Sequence, residues 1–169
     1  MLVESRNYLQ RLDDLRRQVL ALVQDLPAEA LNWRPVEGRD DHATNSLAVL
    51  AAHVAGAEHF WIAEVIGGFP PTRDRAGEFA LQVADISELT YRLEKTSAET
   101  QAVLEALTEA DLSSTREREG RQISVRWALL HVIEHSALHL GHMQITYQLW
   151  MGGQSKQSPR WYERLKAAD

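Results

Sequence analysis

Cysteine is absent from this sequence of 169 residues, which excludes disulfides, thiolate metal sites and a cysteine nucleophile outright. Any metal must be held by nitrogen or oxygen. Proline and glycine are sparse, at five and nine residues, so long helices can run uninterrupted. No Ser- or Gly-rich linker divides the chain, and residues 1–169 read as a single globular domain with length enough for a sizeable core. A basic stripe is missing too: 18 Lys and Arg are scattered among 24 Asp and Glu, for a formal net charge of -6. That balance argues against nucleic acid as a partner. The N-terminal MLVESRNYLQRLDD turns acidic and amphipathic at once, unlike a secretion signal or a membrane span. The expectation is a cytoplasmic protein with no membrane partner.

What the sequence does contain is helical periodicity. Tyr8, Leu12, Leu15, Val19 and Leu22 recur at spacings of three and four among Arg11, Asp13, Asp14, Arg16 and Arg17, which predicts a helix over roughly residues 4–25. Asn45 or Ser46 can cap a second helix from about Leu47 to Ile66, closed by Gly67-Gly68. His53 lies inside it, while Glu58 and Glu64 point away from His53 and read as solvated. Residues 70–85 are polar and turn-rich. A third helix begins near Ser87 and carries Leu89, Leu93, Thr96, Val103, Leu104 and Leu107; residues 108–122 read as a loop with a short extended piece near Thr115. The fourth helix runs from about Ser124 to Met151, apolar nearly all round, and is expected to be the most buried. Ser158-Pro159 can start a last short helix. With no strand run of any length, the predicted fold is all-α: a four-helix bundle with a short C-terminal helix.

Four of the seven histidines fall in WALLHVIEHSALHLGHMQI. A step of four residues on a helix advances about 40° around the axis and about 6 Å along it, so His131, His135 and His139 form a slowly drifting row, with His142 in the same arc. Imidazoles are costly to align in an apolar setting unless something binds them. His131 and His139 are about 12 Å apart along the axis, so one ion can take only an adjacent pair, His131 with His135 or His135 with His139. A third ligand must come from a facing helix. His53 is the best placed, with Val49, Gly56 and Phe60 on its face and Gly56 permitting close approach. His59 is turned away and reads as a rim residue; His42, in the polar loop, reads as solvated.

The order LNWRP, SLAVLAAHVAGAEHFW, then an upstream histidine and His-x-x-x-His-x-Gly-His resembles the DinB-like superfamily of four-helix-bundle proteins, from about residue 8 to residue 153. In that family a histidine of the second helix and the His-x-x-x-His pair ahead of the glycine bind a divalent metal. The resemblance therefore implies His53, His135 and His139 as ligands and Gly141 as the family glycine. His131 and His142 become neighbours, packing beside the site or shuttling protons. Several such relatives are thiol-dependent transferases or isomerases that use bacillithiol, mycothiol or glutathione, which implies a metal-activated thiol adding to an electrophile.

Three neutral imidazoles leave an ion its full positive charge and an open position. The donor set suits zinc or nickel, with iron or copper also compatible. The expected partners are a small-molecule substrate, a low-molecular-weight thiol and a second copy of the chain in a homodimer. Trp33 and Arg34 either anchor their loop or clamp an anion. Two further readings stand beside the transferase: a non-catalytic metal-binding module for stress response or dimerisation, and a metal-dependent hydrolase using bound water. No residue is assigned a catalytic role from the sequence.

Overall fold

The computed structural model describes residues 1–36 and 44–156. His42 and the short helix expected from Ser158-Pro159 lie outside the described residues. Four long helices dominate: α1 (Val3–Val23), α3 (Leu47–Glu58), α5 (Ser87–Ala106) and α7 (Val125–Trp150). Shorter elements lie between them, namely α2 (Ala28–Asn32), α4 (Arg75–Ala80), α6 (Glu109–Leu112) and the strands β1 (Thr115–Arg118) and β2 (Arg121–Ser124). The fold is all-α apart from that small antiparallel hairpin. Its two-residue turn, Glu119-Gly120, has positive φ at both positions, the geometry that matches the twist of the paired strands.

The long helices pack in a ring, α1 against α7, α7 against α3, α3 against α5 and α5 against α1. Ser46 caps α3 by accepting the Val49 N–H at 3.2 Å. An alanine-rich α3 then passes through the middle, buried on every side, with His53 and Glu58 among its buried residues. Beyond Glu58 the helix continues as a π-helix, His59–Ile66, closing with Gly67 N–H donating to Ile62 C=O at 2.9 Å. The stretch Leu47–Ile66 has the length and hydropathy to cross a membrane, but 83% of its most apolar window is buried inside the protein. Ser124 caps α7 through the Trp127 N–H; Gly152 and Gly153, both at positive φ, end it as Gly153 N–H reaches back to Gln148 C=O at 2.8 Å.

The core divides into two apolar clusters. One gathers Leu15, Val19, Leu50, Val54, Leu93, Met143 and Tyr147. The other gathers Leu12, Ile62, Leu104, Val125, Leu129 and Val132. Between them lies a polar waist, where Arg16, His53, Glu58, Thr96, Thr100 and Ser136 are all buried. Glu58 accepts from Arg16 and, at 2.6 Å, from the Thr100 hydroxyl; Arg16 also pairs with Asp13. Burial pushes the Glu58 carboxyl up, and Arg16 and Thr100 oppose that shift.

Three expectations need correction. Glu58 and Glu64 are buried rather than solvated, because each faces a cation or backbone donors that the sequence pattern does not display. The turn-rich stretch 70–85 contains α4, capped by Asp74, whose carboxylate accepts the Gly77 N–H at 2.9 Å. The most buried long helix is α3, since α7 leaves Trp127, Leu130, Leu138, Ile145 and Leu149 more than half exposed.

Breaking the Arg16–Glu58 pair from one side should cost more than removing it. Arg16→Met leaves a buried carboxylate without its cation, a loss of about 3–5 kcal/mol and roughly 10 °C or more in melting temperature. Glu58 then takes up a proton more readily, so the deficit shrinks as pH falls and grows as pH rises. Arg16→Met with Glu58→Leu should recover most of the loss. Equal melting of Arg16→Met and the parent across pH would show that the pair does not hold the waist.

Candidate metal centre

His53 enters the waist from α3, and its orientation is set by a carboxylate. Its Nδ1 lies 2.9 Å from Glu78 Oε2 of α4, so that nitrogen carries the proton and donates, and Nε2 keeps its lone pair. Nε2 faces His135 Nε2 of α7 at 3.2 Å. His139, one turn further on, has its ring 4.4 Å from that of His135 and 5.0 Å from that of His53. One nitrogen from each of the three falls within 4.8 Å of the others, a group that can hold a metal ion.

The donors fit such an ion. Two nitrogens bound to one zinc at about 2.0–2.1 Å and the tetrahedral angle are roughly 3.3 Å apart, close to the 3.2 Å between His53 and His135. The other ring nitrogen of His135, the buried Nδ1, has no hydrogen-bond partner. Protonation is strongly disfavoured here. Burial, then the neighbouring His139, His53, His131 and Arg73, push His135 down to about 3; burial, then His53 and His142, push His139 down to about 4. Both are neutral at pH 7, with lone pairs free for a cation.

Glu78 is the functional residue that the sequence did not reveal. It is buried and held by a fork: Arg73 Nε donates to Oε1 at 2.7 Å and Nη2 to Oε2 at 2.9 Å. Burial alone would raise its carboxyl, but hydrogen bonds from Arg73 and His53 outweigh that and hold it below the usual range. A carboxylate on the far nitrogen of a metal-ligating imidazole fixes both tautomer and ring orientation. Gly56 makes room for it, since a Cβ there would come within 1.9 Å of Glu78 Oε1. The glycine thus admits a side chain from α4, where a partner helix was expected. Asp-x-x-Gly at residues 74–77, followed by Glu78, is the capping signal that could have located α4.

His131 and His142 stay outside the three-histidine group. The His131 ring stacks on Trp127 at 4.8 Å and meets Trp61 edge-on at 5.4 Å. The exposed His142 places Nδ1 3.4 Å from His139 Nδ1. Trp33 packs edge-on against Trp150 at 5.6 Å, and Arg34 reaches the Phe79 carbonyl at 3.4 Å. Both tie the loop after α2 to the bundle. Phe79 itself lies 4.9 Å from the His53 ring. His59, the first residue of the π-helix, is hydrogen-bonded to Glu99 and Thr72 instead.

Metal titration followed by calorimetry or competition with a chelating dye checks this arrangement. His53→Ala, His135→Ala and His139→Ala should each abolish stoichiometric zinc or nickel binding. Glu78→Gln and Gly56→Ala should weaken it about 10–100-fold, and His142→Ala should bind within a few-fold of the parent. Undiminished binding in His53→Ala or His135→Ala would refute the ligand set.

Residues 11–143 match the family model of the DinB superfamily, a span that includes all three histidines. The chain is similar to YkkA, an uncharacterized protein of Bacillus subtilis strain 168, at 25% identity over 131 residues, covering 71% of this chain and 72% of that protein. Among solved structures it resembles the conserved protein of a locus from Enterococcus faecalis. That likeness has a TM-score of 0.72 at 18% identity and covers 90% of this chain and 99% of the other, which extends the shared fold over both chains. The protein belongs to the DinB superfamily.

Proposed function

We propose that this chain binds a divalent ion, zinc or nickel, through His53, His135 and His139, and uses it in the cytoplasm as a thiol S-transferase, activating an external low-molecular-weight thiol for attack on an electrophile. The observation that carries this reading is the donor set: three imidazoles, two of them held neutral far below ordinary histidine, with no carboxylate in the group. A cation bound by neutral ligands keeps its charge and stabilises a thiolate at neutral pH. The thiol must be supplied from outside, because the chain has no cysteine.

The chain's own residues have distinct tasks on this reading. Glu78 Oε2 holds the proton at His53 Nδ1 and keeps Nε2 available. Arg73 holds Glu78 in place by two hydrogen bonds. His142, exposed beside His139, is the group placed to accept the thiol proton and pass it to solvent. Phe79 beside His53, and Trp61 and Trp127 around His131, put apolar rings next to the histidine row, which favours an organic electrophile over bulk water.

The test is thiol transfer to a reactive halide or epoxide by zinc- or nickel-loaded protein, with bacillithiol, mycothiol and glutathione offered in turn. Turnover should require both metal and thiol, and His135→Ala should fall to the uncatalysed rate. Turnover without thiol would establish a hydrolase instead. Stoichiometric metal with no turnover on any thiol would establish a binding module.

On this reading the chain works as a homodimer packed through α7. The supporting feature is the stripe Trp127, Leu138, Ile145 and Leu149, exposed along one helix, with Gly141 at its middle, where a Cβ would meet nothing. Backbones approach closely at such a position, and a face this apolar is normally covered. Sedimentation equilibrium should find a dimer for the parent and a monomer for Leu138→Asp; a monomeric parent would remove the proposal.

A further inference from the structure

Beside the three histidines, and separated from them by Arg73 and Glu78, lies a cleft of about 110 Å³ between α3, α4 with the loop before it, and α5. Ala52 and Ala55 keep its floor low, and Glu78 fills the space that Gly56 leaves. Into it project three groups that the metal site does not use. His59 Nδ1 lies 2.7 Å from Glu99 Oε2, and His59 Nε2 lies 3.0 Å from the hydroxyl of Thr72, which is solvent-exposed. Acid, imidazole and hydroxyl are thus joined in series, with the hydroxyl at the open end.

From this geometry we infer a second, metal-independent site at which Thr72 is an acyl-accepting nucleophile toward short-chain carboxylic esters. With Nδ1–H donated to Glu99, the His59 Nε2 lone pair faces the Thr72 O–H, the arrangement that activates a hydroxyl in nucleophilic catalysis. Glu64 Oε1, 3.2 Å from the same Nε2, stabilises the imidazolium formed when the proton moves. Two backbone donors hold Glu64 there, Thr72 N–H at 2.7 Å and Arg73 N–H at 2.8 Å. The same pair of bonds fixes the backbone of Thr72, so the nucleophile is held by its main chain and its side chain stays free to react. Arg92, bonded to Glu88 at 2.6 Å, and Lys95, 3.8 Å from Glu99, line the cleft, and the positive charge for the oxyanion comes from these side chains as they turn from those partners. The cleft is well below the size of pockets for drug-sized ligands, which restricts the acyl group to a short one such as acetyl.

The reaction balances with water as the only co-reactant. Thr72 Oγ bonds to the carbonyl carbon while its proton passes to His59 Nε2. The carbon–oxygen bond to the leaving group breaks, and His59 returns the proton to the departing alkoxide as alcohol. Water, deprotonated by the same nitrogen, then attacks the threonyl ester, releases the carboxylic acid and restores the hydroxyl. A purely structural clasp joining the loop to α5 would give stability and no covalent product.

The probe is p-nitrophenyl acetate, applied to the full chain with and without prior chelator treatment, with stopped-flow detection and peptide mass spectrometry. The expected result is a burst of nitrophenolate and an acetyl group on the peptide bearing Thr72, unaffected by chelator. Thr72→Val, which keeps the backbone bond to Glu64, should abolish both; Thr72→Ser should retain both. His59→Gln should slow acylation about 100-fold or more. Acetylation confined to lysine or histidine, a burst that survives Thr72→Val, or no burst at all would overturn the assignment. Because the chelated protein is used, the outcome is separable from that of the metal-dependent thiol chemistry.

Discussion

Every polar group carried to the middle of this bundle must find its partner there, because burying an unpaired charge costs more than the stability of a domain this size can absorb. Arg16, Glu58 and Thr100 answer that demand from three helices at one level, α1, α3 and α5. Their mutual bonds separate two apolar clusters that would otherwise merge into one core. The waist also fixes register. Sliding α1 by one turn against α3 would part Arg16 from Glu58 and strand both, whereas an all-leucine layer tolerates such slips. With α1, α3 and α5 locked at this height, α7 closes the ring and brings His135 and His139 level with His53.

The histidine group is sustained by a chain of single contacts that leads away from it. His53 is oriented by Glu78, Glu78 is gripped by Arg73, and the Arg73 backbone is anchored on Glu64. Each link is short and directional, and all but Arg73 are buried. His135 and His139 are kept without charge by burial first, and then by the neighbouring imidazoles. Neutral ligands are what an ion requires; two protonated histidines at this spacing would repel one another and any cation alike.

Much of this was legible in the sequence, for identifiable reasons. Period-3.6 spacing marks the four long helices, and rise per residue limits the α7 histidines to adjacent pairs. The family resemblance then implies the pair and the facing His53 that the structure brings together. What was illegible depends on tertiary partners. Glu58 and Glu64 look solvated as carboxylates on a helix; Arg16 and Thr100 explain the burial of the first, and His59, Arg118 and the backbone of the loop before α4 that of the second. The exposed stripe of α7 is compositionally identical to a core face. The π-helix also defeats projection: at 100° per residue His59 and Glu64 would be about 140° apart, whereas the wider turn, bonded at i to i+5, brings His59 Nε2 within 3.2 Å of Glu64 Oε1.

That widened turn ties the histidine group to the cleft beside it. Glu64 Oε1 accepts the N–H groups of consecutive residues, Thr72 and Arg73, so one carboxylate oxygen fixes the chain at the point where two side chains diverge. Arg73 turns toward Glu78 and the three histidines; Thr72 turns toward His59 and the cleft on α5. Neither side chain could be aimed by its own rotamer preference alone, because the loop that carries them has no regular hydrogen bonding between Phe69 and Asp74. A buried acid provides the fixed reference that secondary structure would otherwise supply. Its placement needs the extra residue of the π turn, since an α-helical continuation from Glu58 would carry Glu64 to another face of the helix. The irregular stretch of α3 is therefore the element that positions the loop, and through the loop both sets of polar side chains.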